Sequence, residues 1–376
     1  MRVLLTCGGT AGHINPAIAV ARMVLERRPG SEVLFVGATG AMETQLVPRE
    51  GFNIETVTIG SFARGFKPSA IKHNFKVARM RRTALKRARE IIEKFRPDVV
   101  VGTGGFASYP AVAAAQKMGI PTAIHESNVK PGLTTSVLAK KADKIMVGFV
   151  EAAAHYKNPE RTVVTGTPVR EEFIYTKRED ARRRMGIAPD EKLVVSYWGS
   201  LGAREMNKCI ARVMKMECCD GGKFRHIHST GSFGWKWMPD FVRELGVDIE
   251  SHPAIDMREY IYDMPDATVA ADLMVCRGGA STLGEIVAAA KPAIIIPSPN
   301  VAENHQEPNA RALEDAGGAV VIVEKDCTPE RLYRTINELL EDRERLERMS
   351  DALRGRAVLD ATERIYEVVR TLADEK

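Results

Sequence analysis

The feature that most constrains the fold of this chain is a repeated alternation of short apolar runs with longer helical patterns. Runs such as VLL (3–5), EVLFVG (32–37) and DVVVG (98–102) are continuously apolar and do not alternate with polar residues. Continuous runs of this kind are typical of parallel strands that are buried on both faces. The pattern therefore predicts an α/β fold with a doubly wound parallel sheet.

The alternation occurs twice. A charged stretch without a strand (171–190) precedes a second series that includes KLVVSYWG (192–199) and DIESHP (248–253). A chain of 376 residues also exceeds what one hydrophobic core usually serves. We therefore expect two Rossmann-like domains that face each other across a cleft. The expected domains are residues 1–170 and 171–360, and the apolar stripe of the last helix (361–376) could pack back on the first domain.

Composition excludes several classes of protein. Six cysteines without a CxxC pair are typical of reduced thiols, not of a disulfide framework or a zinc site. The sequence has no signal-peptide pattern and no run of roughly 18 apolar residues, so we expect a cytosolic protein that at most rests on a membrane surface. The net charge of +5 is too mild to indicate nucleic acid by itself.

The segment TCGGTAGHINP (6–16) directly follows the first predicted strand. Its glycines allow close approach of the backbone to a ligand, and a helix starting near Asn15-Pro16 would direct its amides at an anion. The spacing is not GxGxxG, because His13 takes the place of the last glycine, so a dinucleotide site is not expected. His13 is a candidate general base; a histidine that only holds the loop is the alternative.

A second glycine loop, GTGGFASYP (102–110), also lies between a predicted strand and a helix. Gly104 and Gly105 would join the first loop in one anion-binding surface, which favours a diphosphate. Purely structural turns are the alternative.

The motif HESN (125–128) ends another predicted strand, at the edge where open α/β sheets bind ligands. Asn128 could donate to and accept from a sugar, and Glu126 could bind a hydroxyl or orient His13. Capping of the next helix would explain the same residues equally well.

Three segments of the second domain also join a strand end to a polar helix start. In WGSLGAR (198–204), Ser200 and neighbouring amides could cradle a phosphate. In RGGASTLGEI (277–286), Glu285 suits a ribose diol, although helix capping is the alternative. NHQEPNA (304–310) brings further polar side chains to the same edge. The other candidate donor-binding residues of these segments are Ala280, Ser281, Thr282, His305 and Gln306, and Asn309 lies at the same edge.

Arg170, in the motif GTPVR, is a candidate for neutralising a diphosphate leaving group, and a surface ion pair is the alternative. The sequence contains no DxD pair and no GxxxxGK[ST] motif. We therefore expect a reaction without a metal or another cofactor, in which helix dipoles, hydroxyls and Arg170 offset the charge of the leaving group.

Residues 64–96 are strongly basic, with twelve Lys and Arg residues against Glu90 and Glu93. Most lie on one predicted helix with aromatic residues at its front, a combination that indicates an anionic membrane surface. A merely solvated helix face is the alternative, and RNA is not favoured because no RNA-binding motif accompanies the charge. The candidate membrane-contact residues are Phe66, Ile71, Lys72, Phe75, Lys76, Arg79 and Arg82.

Seven motifs follow one another in an order found in a single enzyme family: GGTAGH, TGGFASYP, HESN, GTPVR, GSLGAR, RGGASTLGE and HQEPNA. The chain resembles the MurG-type bacterial peptidoglycan N-acetylglucosaminyltransferases over its whole length. The resemblance implies a GT-B fold and an inverting, metal-free transfer of N-acetylglucosamine from UDP-N-acetylglucosamine to the 4-hydroxyl of lipid I (undecaprenyl-diphospho-N-acetylmuramoyl-pentapeptide). The products would be lipid II and UDP. It also implies a peripheral enzyme at the cytoplasmic face of the cell membrane, other cell-wall enzymes as partners, and no nucleic acid.

The resemblance further implies roles for individual residues. Ile261 would offer backbone groups to uracil, Glu285 would bind ribose, and either His13 or Glu126 would be the general base. The acceptor diphosphate would be held by Gly9, Gly12, Gly104 and Gly105. The donor would be contacted by Thr10, Ala11, Gly12, Asn128, Arg170, Ser200, Ile261 and Gln306.

The chain departs from the family pattern at two positions: Trp198 stands where a glycine is usual, and Ser127 where glutamine is common. Two alternative functions stay open at this point. One is a glycolipid synthase that uses diacylglycerol as acceptor, and the other is a non-catalytic subunit that binds a nucleotide sugar.

Overall fold

The structure, a computed structural model, describes residues 1–60, 68–301 and 304–375, with the backbone alone for residues 68–73, 75, 76 and 250. The chain divides into two compact units, Met1–Pro168 with Asp360–Lys376, and Val169–Leu359. We call them unit 1 and unit 2.

Unit 1 is built on a seven-stranded sheet with the strand order β3-β2-β1-β4-β5-β6-β7, and every pairing in it is parallel. Its strands are β1 (Arg2–Thr6), β2 (Glu32–Ala38), β3 (Ile54–Val57), β4 (Val99–Gly102), β5 (Thr122–Glu126), β6 (Lys144–Val147) and β7 (Thr162–Val164). Its helices are α1 (Ala11–Arg27), α2 (Glu43–Arg49), α3 (Pro68–Phe95), α4 (Ser108–Met118), α5 (Leu133–Leu138) and, from the end of the chain, α15 (Ala361–Asp374).

Unit 2 is built on a six-stranded parallel sheet with the order β10-β9-β8-β11-β12-β13. Its strands are β8 (Leu193–Tyr197), β9 (Arg225–Ser229), β10 (Ile255–Arg258), β11 (Leu273–Cys276), β12 (Ala293–Ile295) and β13 (Ala319–Val321). Its helices are α6 (Glu172–Tyr175), α7 (Arg178–Met185), α8 (Arg204–Cys219), α9 (Met238–Glu244), α10 (Met264–Ala270), α11 (Ala280–Ala288), α12 (Gln306–Asp315), α13 (Pro329–Glu341) and α14 (Arg343–Arg354). The predicted class, two Rossmann-like α/β domains with parallel sheets, is confirmed.

The cores explain why the strand sequences are continuously apolar. Val3, Leu4 and Leu5 of β1 are all fully buried although their side chains alternate between the two faces of the sheet. On one side α1 and α15 pack together, with Ile365, Val369 and other apolar residues of α15 in the same core cluster as β1. Helices that cover both faces of the sheet leave no solvent-facing side for polar residues.

Two boundaries differ from the sequence-based expectation. The first helix begins at Ala11 and not near Asn15-Pro16, because the backbone N–H groups of His13 and Ile14 already bond to the carbonyl of Thr10. Pro16 lies inside α1, so the carbonyl of Gly12 receives no helical bond from it. The predicted strand DIESHP contains instead a short 3₁₀ turn (Ile249–Ser251).

Candidate functional site

His13 lies in the first turn of α1, and the loop between β4 and α4 holds its imidazole ring. Its Nδ1 lies 3.1 Å from the carbonyl oxygen of Thr103, and the Thr103 hydroxyl donates to the carbonyl oxygen of His13 at 2.7 Å. Because a carbonyl oxygen can only accept, the bond requires a proton on Nδ1. In the neutral ring the lone pair is then on Nε2, which is the nitrogen that can take a proton from a substrate hydroxyl.

The second glycine loop packs directly on the first. A Cβ on Gly104 (φ +105°) would lie 2.6 Å from Nδ1 of His13, and a Cβ on Gly105 (φ +79°) would overlap the carbonyl oxygen of Gly8. These two glycines are therefore needed to bring the two loops into contact and to place His13. Gly9, Thr10 and Ala11 are exposed at the start of α1, whose first turn contains no acidic residue.

Glu43, which the sequence analysis did not single out, organises the first glycine loop. Its fully buried carboxylate accepts from the backbone N–H of Gly9 at 3.2 Å and of Ala38 at 2.8 Å. A Cβ on Gly8 would lie 2.5 Å from its Oε1. Burial, reinforced by the charge of Glu43, raises the pKa of the neighbouring Cys7 thiol. In the sequence, Glu43 looks like an ordinary acidic residue in the first turn of a helix.

Glu126 is buried at the end of β5, and its carboxylate bonds within its own loop. It accepts from the backbone N–H and the side-chain amide of Asn128, at 3.0 and 2.9 Å, and from the backbone N–H of Gly132 at 3.0 Å. Glu126 therefore holds Asn128 in place, whereas Thr103 orients the ring of His13. Ser127 contacts His125, whose Nε2 bonds to the carbonyl oxygen of Gly166.

The predicted membrane-contact residues fall on α3 and the segment before it. Phe66 lies outside the described residues, and Ile71, Lys72, Phe75 and Lys76 lie in the part of α3 described as backbone alone. Arg79 and Arg82 are exposed.

Two arginines of α3 interact with other residues of unit 1. Arg81 stacks on the ring of Tyr109, with 3.9 Å from its guanidinium carbon to the ring centre, and Arg87 pairs with Glu55 at 2.9 Å. Among the residues that the structure describes, no helix is long and apolar enough to cross a membrane.

In unit 2, the turn between β8 and α8 contains Gly199 and Gly202, both with positive φ. Ser200 is exposed on this turn, and its carbonyl oxygen accepts from the backbone N–H of Ser232 at 3.1 Å. A Cβ on Gly202 would overlap the carbonyl oxygen of Thr230, so this glycine lets the turn pack on the segment after β9.

Trp198 does not occupy the space in front of this turn. Its side chain is 5 % exposed in the core cluster of unit 2, and the guanidinium of Arg277 lies 5.6 Å from the centre of its ring. The indole Nε1 is buried without a hydrogen-bond partner. The departure from glycine therefore changes the core and leaves the backbone of the turn accessible.

Ala280, Ser281 and Thr282 form the first turn of α11, which contains no acidic residue. Glu285 follows on the same helix. Burial raises the pKa of Glu285 to about 7, and the positive charge of Arg170 acts in the opposite direction. The structure thus brings Arg170 within electrostatic range of Glu285, as well as over the ring of Phe173.

The N-terminus of α12 is tied to its neighbouring loops. Gln306 Oε1 accepts from the backbone N–H of Ser298 at 2.9 Å, and the buried Asn309 donates to the carbonyl oxygen of Gly278 at 3.2 Å. The Nε2 of Gln306 has no hydrogen-bond partner within the described ranges. His305 directly precedes the helix and is half-buried.

Ile261 is buried between two exposed tyrosines, Tyr260 and Tyr262, whose rings lie 5.1 Å apart. Its side chain therefore points into unit 2. The described part of the chain contains no group of three or more His, Cys, Asp or Glu side chains arranged to hold a metal ion. All six cysteines are free thiols.

Comparison with known protein families gives matches over both units. Residues 3–147 match the glycosyltransferase family 28 N-terminal domain, and residues 194–365 match the glycosyltransferase family 28 C-terminal domain.

Similar full-length proteins carry one name, UDP-N-acetylglucosamine–N-acetylmuramyl-(pentapeptide) pyrophosphoryl-undecaprenol N-acetylglucosamine transferase. The one from Acetivibrio thermocellus is 41% identical over 376 residues, which is 100% of this chain and 99% of the relative. The one from Desulfitobacterium hafniense is 39% identical over 368 residues, 98% of each chain.

Among solved structures, that of Acinetobacter baumannii MurG is similar with a TM-score of 0.75 and 25% identity, covering 98% of this chain and 99% of that one. A UDP-GlcNAc 2-epimerase from Neisseria meningitidis has a TM-score of 0.67 at 15% identity, covering 99% of this chain and 100% of its own. The latter likeness shows a shared fold alone.

Proposed function

The chain belongs to glycosyltransferase family 28, and from this premise we propose how its residues carry out the reaction. The protein is a UDP-N-acetylglucosamine-dependent glycosyltransferase of peptidoglycan synthesis, and it transfers N-acetylglucosamine to lipid I.

His13 is the general base. The observation that carries this assignment is the bond from Nδ1 to the Thr103 carbonyl, because it leaves the basic lone pair on Nε2. The 4-hydroxyl of the acceptor sugar attacks C1 of N-acetylglucosamine and gives its proton to Nε2 of His13. The bond from C1 to the UDP oxygen breaks, and UDP leaves with the electron pair. Glu126 positions Asn128 for the sugar and does not take the proton.

The acceptor diphosphate binds at the start of α1 and the two glycine loops, at Gly9, Gly12, Gly104 and Gly105. Support comes from the exposed residues Gly9, Thr10 and Ala11 at the start of α1 and from a first helical turn without acidic side chains. Thr10 and Ala11 of the same turn, together with Asn128, contact the donor sugar.

The nucleotide binds to unit 2. The first turn of α11, Ala280–Thr282, and the turn with Ser200 hold the phosphates through backbone amides and hydroxyls. Glu285 accepts from the ribose hydroxyls, and Arg170 offsets the charge of the departing diphosphate. Backbone groups at Ile261 bind uracil, and Gln306 Nε2 and His305 donate to the sugar.

The reaction proceeds without metal, because these helix starts and Arg170 supply the positive potential that a divalent ion would supply elsewhere. The enzyme works as a peripheral protein on the cytoplasmic face of the membrane. The exposed Arg79 and Arg82 on the basic helix α3 support binding to an anionic surface.

The decisive experiment compares acceptors and conditions with the purified chain alone. Radiolabelled N-acetylglucosamine should pass from UDP-N-acetylglucosamine to lipid I in a buffer with a metal chelator. Transfer to diacylglycerol in preference to lipid I would contradict the acceptor, and loss of transfer on chelation would contradict independence from metal. If no transfer occurs without a second protein, the chain is a binding subunit and not the enzyme.

A further inference from the structure

Beneath the turn at Gly199–Gly202, unit 2 contains a chain of polar side chains to which the transfer reaction gives no role. Its five members lie on β8, β9 and α8, and none is more than 2 % exposed. They are Glu217, His226, Ser196, His228 and Asn207.

The five side chains form one continuous series of hydrogen bonds. Glu217 Oε1 lies 2.8 Å from His226 Nδ1, and His226 Nε2 lies 2.7 Å from Ser196 Oγ. Ser196 Oγ lies 2.7 Å from His228 Nδ1, whose Nε2 lies 3.3 Å from Asn207 Oδ1. The series ends where Asn207 Nδ2 donates to the carbonyl oxygen of Thr230 at 2.7 Å.

The last bond fixes the direction of all the others. The Thr230 carbonyl can only accept, so Asn207 presents its NH₂ group to Thr230 and its oxygen to His228. His228 must then carry a proton on Nε2. Complete burial and the neighbouring His226 lower the pKa of His228 well below its usual value, so this ring is neutral and its Nδ1 accepts from the Ser196 hydroxyl.

The other end of this hydrogen-bond chain is fixed in the same way. Ser196 gives its only proton to His228, so Ser196 Oγ accepts from His226, and His226 carries a proton on Nε2. His226 Nδ1 and Glu217 Oε1 then face each other at 2.8 Å, and one more proton is needed between them. Without that proton, a lone pair would face a buried carboxylate.

The bond to His226 holds one oxygen of the Glu217 carboxyl group. The other oxygen, Oε2, is buried and has no hydrogen-bond partner. On the neighbouring strand β10, Asp256 and Arg258 pair with each other at 2.7 Å. The other titratable groups near the pair are His228 on β9, Cys218 on α8, Asp220 after α8 and Tyr333 on α13.

The accepting end of the chain supports the turn that carries Ser200. A Cβ on Gly202 would overlap the Thr230 carbonyl, and one on Gly234 would overlap both that carbonyl and the amide of Asn207. The backbone of the β8–α8 turn therefore rests on the atoms that the chain orients. Reversal of the chain would turn the Asn207 oxygen toward the Thr230 oxygen and push the two segments apart.

We propose that Glu217 and His226 share one buried proton, and that this proton completes a hydrogen-bond chain of fixed polarity that positions the phosphate-binding turn at Gly199–Gly202. The five side chains are positioning residues, since none of them touches substrate. The effect on donor binding rests on the proposed function of the turn, whereas the proton and the polarity do not.

The polarity is tested on the wild-type chain without ligand. Long-range ¹H–¹⁵N correlation spectra of the ¹⁵N-labelled protein distinguish protonated from unprotonated ring nitrogens, and single His→Gln variants assign the signals. We expect His228 to be protonated on Nε2 alone, and His226 to be protonated on Nε2 with Nδ1 in a strong hydrogen bond. A neutral His228 or His226 with its only proton on Nδ1 would overturn the proposal, whatever the activity of the protein.

The positioning role is tested with two variants of Glu217 and a matched control. Glu217→Ala removes the partner of His226 and should raise KM for UDP-N-acetylglucosamine by about three- to tenfold, with a smaller change in kcat. Glu217→Gln carries its own N–H toward His226 Nδ1 and should bring KM back to within about twofold of wild type. Ser350→Ala, which removes a hydroxyl that bonds to the Ala290 carbonyl elsewhere in unit 2, should leave KM unchanged.

The outcomes are separable. If Glu217→Gln and Glu217→Ala raise KM equally, the charge of the carboxylate matters and not the proton. If Ser350→Ala raises KM as much as Glu217→Ala, the effect is one of general stability. Either result overturns the positioning role. A wild-type protein that transfers no sugar at all would contradict the proposed function, and the NMR spectra would then test the proton and the polarity.

Discussion

Gly104 lies against the imidazole of His13, so closely that a Cβ on Gly104 would be 2.6 Å from Nδ1. Gly104 must therefore lack a side chain for His13, the proposed base on the other loop, to keep this orientation. The contact also explains why a glycine with φ +105° occurs at this place in the loop.

We expect Gly104→Ala to displace the His13 ring and lower kcat by about 10- to 100-fold, because small misplacements of a catalytic group have effects of that order. UDP affinity should stay within about twofold of wild type. Steady-state kinetics and UDP titration measure both. The matched control is Gly119→Ala, at a glycine with φ +70° and nothing within 4 Å of its Cβ. Equal losses in the two variants would show that strain alone is responsible.

His13→Ala should lower kcat by about 10²–10⁴-fold if His13 Nε2 takes the proton of the acceptor hydroxyl. UDP binding should hardly change, since the proposed nucleotide site lies in unit 2. His155→Ala, at an exposed histidine of unit 1, is the control and should be active. If the His13→Ala variant has near-normal turnover, His13 does not take the proton of the acceptor hydroxyl.

Glu43→Gln should destabilise unit 1, because an amide cannot accept from both Gly9 and Ala38 through its two terminal atoms. The loss in free energy of unfolding should be about 1–3 kcal/mol. Chemical denaturation measures it. Glu93→Gln, which removes only the exposed pair with Arg89, should cost no more than about 0.5 kcal/mol. A Glu43→Gln protein as stable as this control would show that the buried carboxylate does not hold the loop.

Donor binding should depend on pH through Glu285, whose pKa burial raises from 4.5 to about 7. In the proposed site the ionised carboxylate accepts from both ribose hydroxyls, so UDP affinity should rise as pH increases from 6 to 8. Stability should change in the opposite direction, because the folded state binds the proton more tightly and loses that advantage as pH rises from 4.5 toward 7.

Isothermal titration of UDP across this range measures the effect on binding, and Glu285→Gln should show a flat profile. A wild-type protein whose UDP affinity stays constant between pH 6 and 8 would contradict the ribose contact.

Binding to vesicles should depend on the exposed charges of α3. The double variant Arg79→Glu/Arg82→Glu should bind vesicles with anionic lipid at least about tenfold more weakly in flotation, as each basic residue contributes about 1 kcal/mol. The same charge change on α14, Arg343→Glu/Arg348→Glu, should have little effect. Wild-type binding that is equal for neutral and anionic vesicles would refute the electrostatic surface.

The fold could be predicted because a strand that is buried on both faces must be continuously apolar. This pattern is visible within each strand separately, as in Val3–Leu5. The two wrong expectations, the start of α1 and the strand at DIESHP, arose where a local sequence pattern and the hydrogen bonds of the folded protein favour different structures. Pro16 favoured a later helix start, but the Thr10 carbonyl accepts two N–H groups before it. The polar alternation of DIESHP resembles a half-buried strand, yet the strand β10 follows it and contains the ion-paired Asp256 and Arg258.

For the candidate site, the sequence motifs located the loops, but they did not identify the side chains that hold these loops in place. His13 and Glu285 are recognisable from residue type and position. Glu43 is not, because its two bonds join a helix start to backbone groups of other segments. Glu217 and His226 are nine residues apart on different elements, and only the packing of α8 on the sheet reveals their bond.

Trp198 has a practical consequence for experiments in solution. Its indole is buried beside the turn at Gly199–Gly202, and it lies edge-on to His228 with 6.3 Å between ring centres. A chain with glycine at this position would have no fluorescent side chain there. This protein instead carries an intrinsic fluorophore within the core that supports the turn, and replacing Trp235 and Trp237 would leave Trp198 as the one tryptophan whose emission reports on that core.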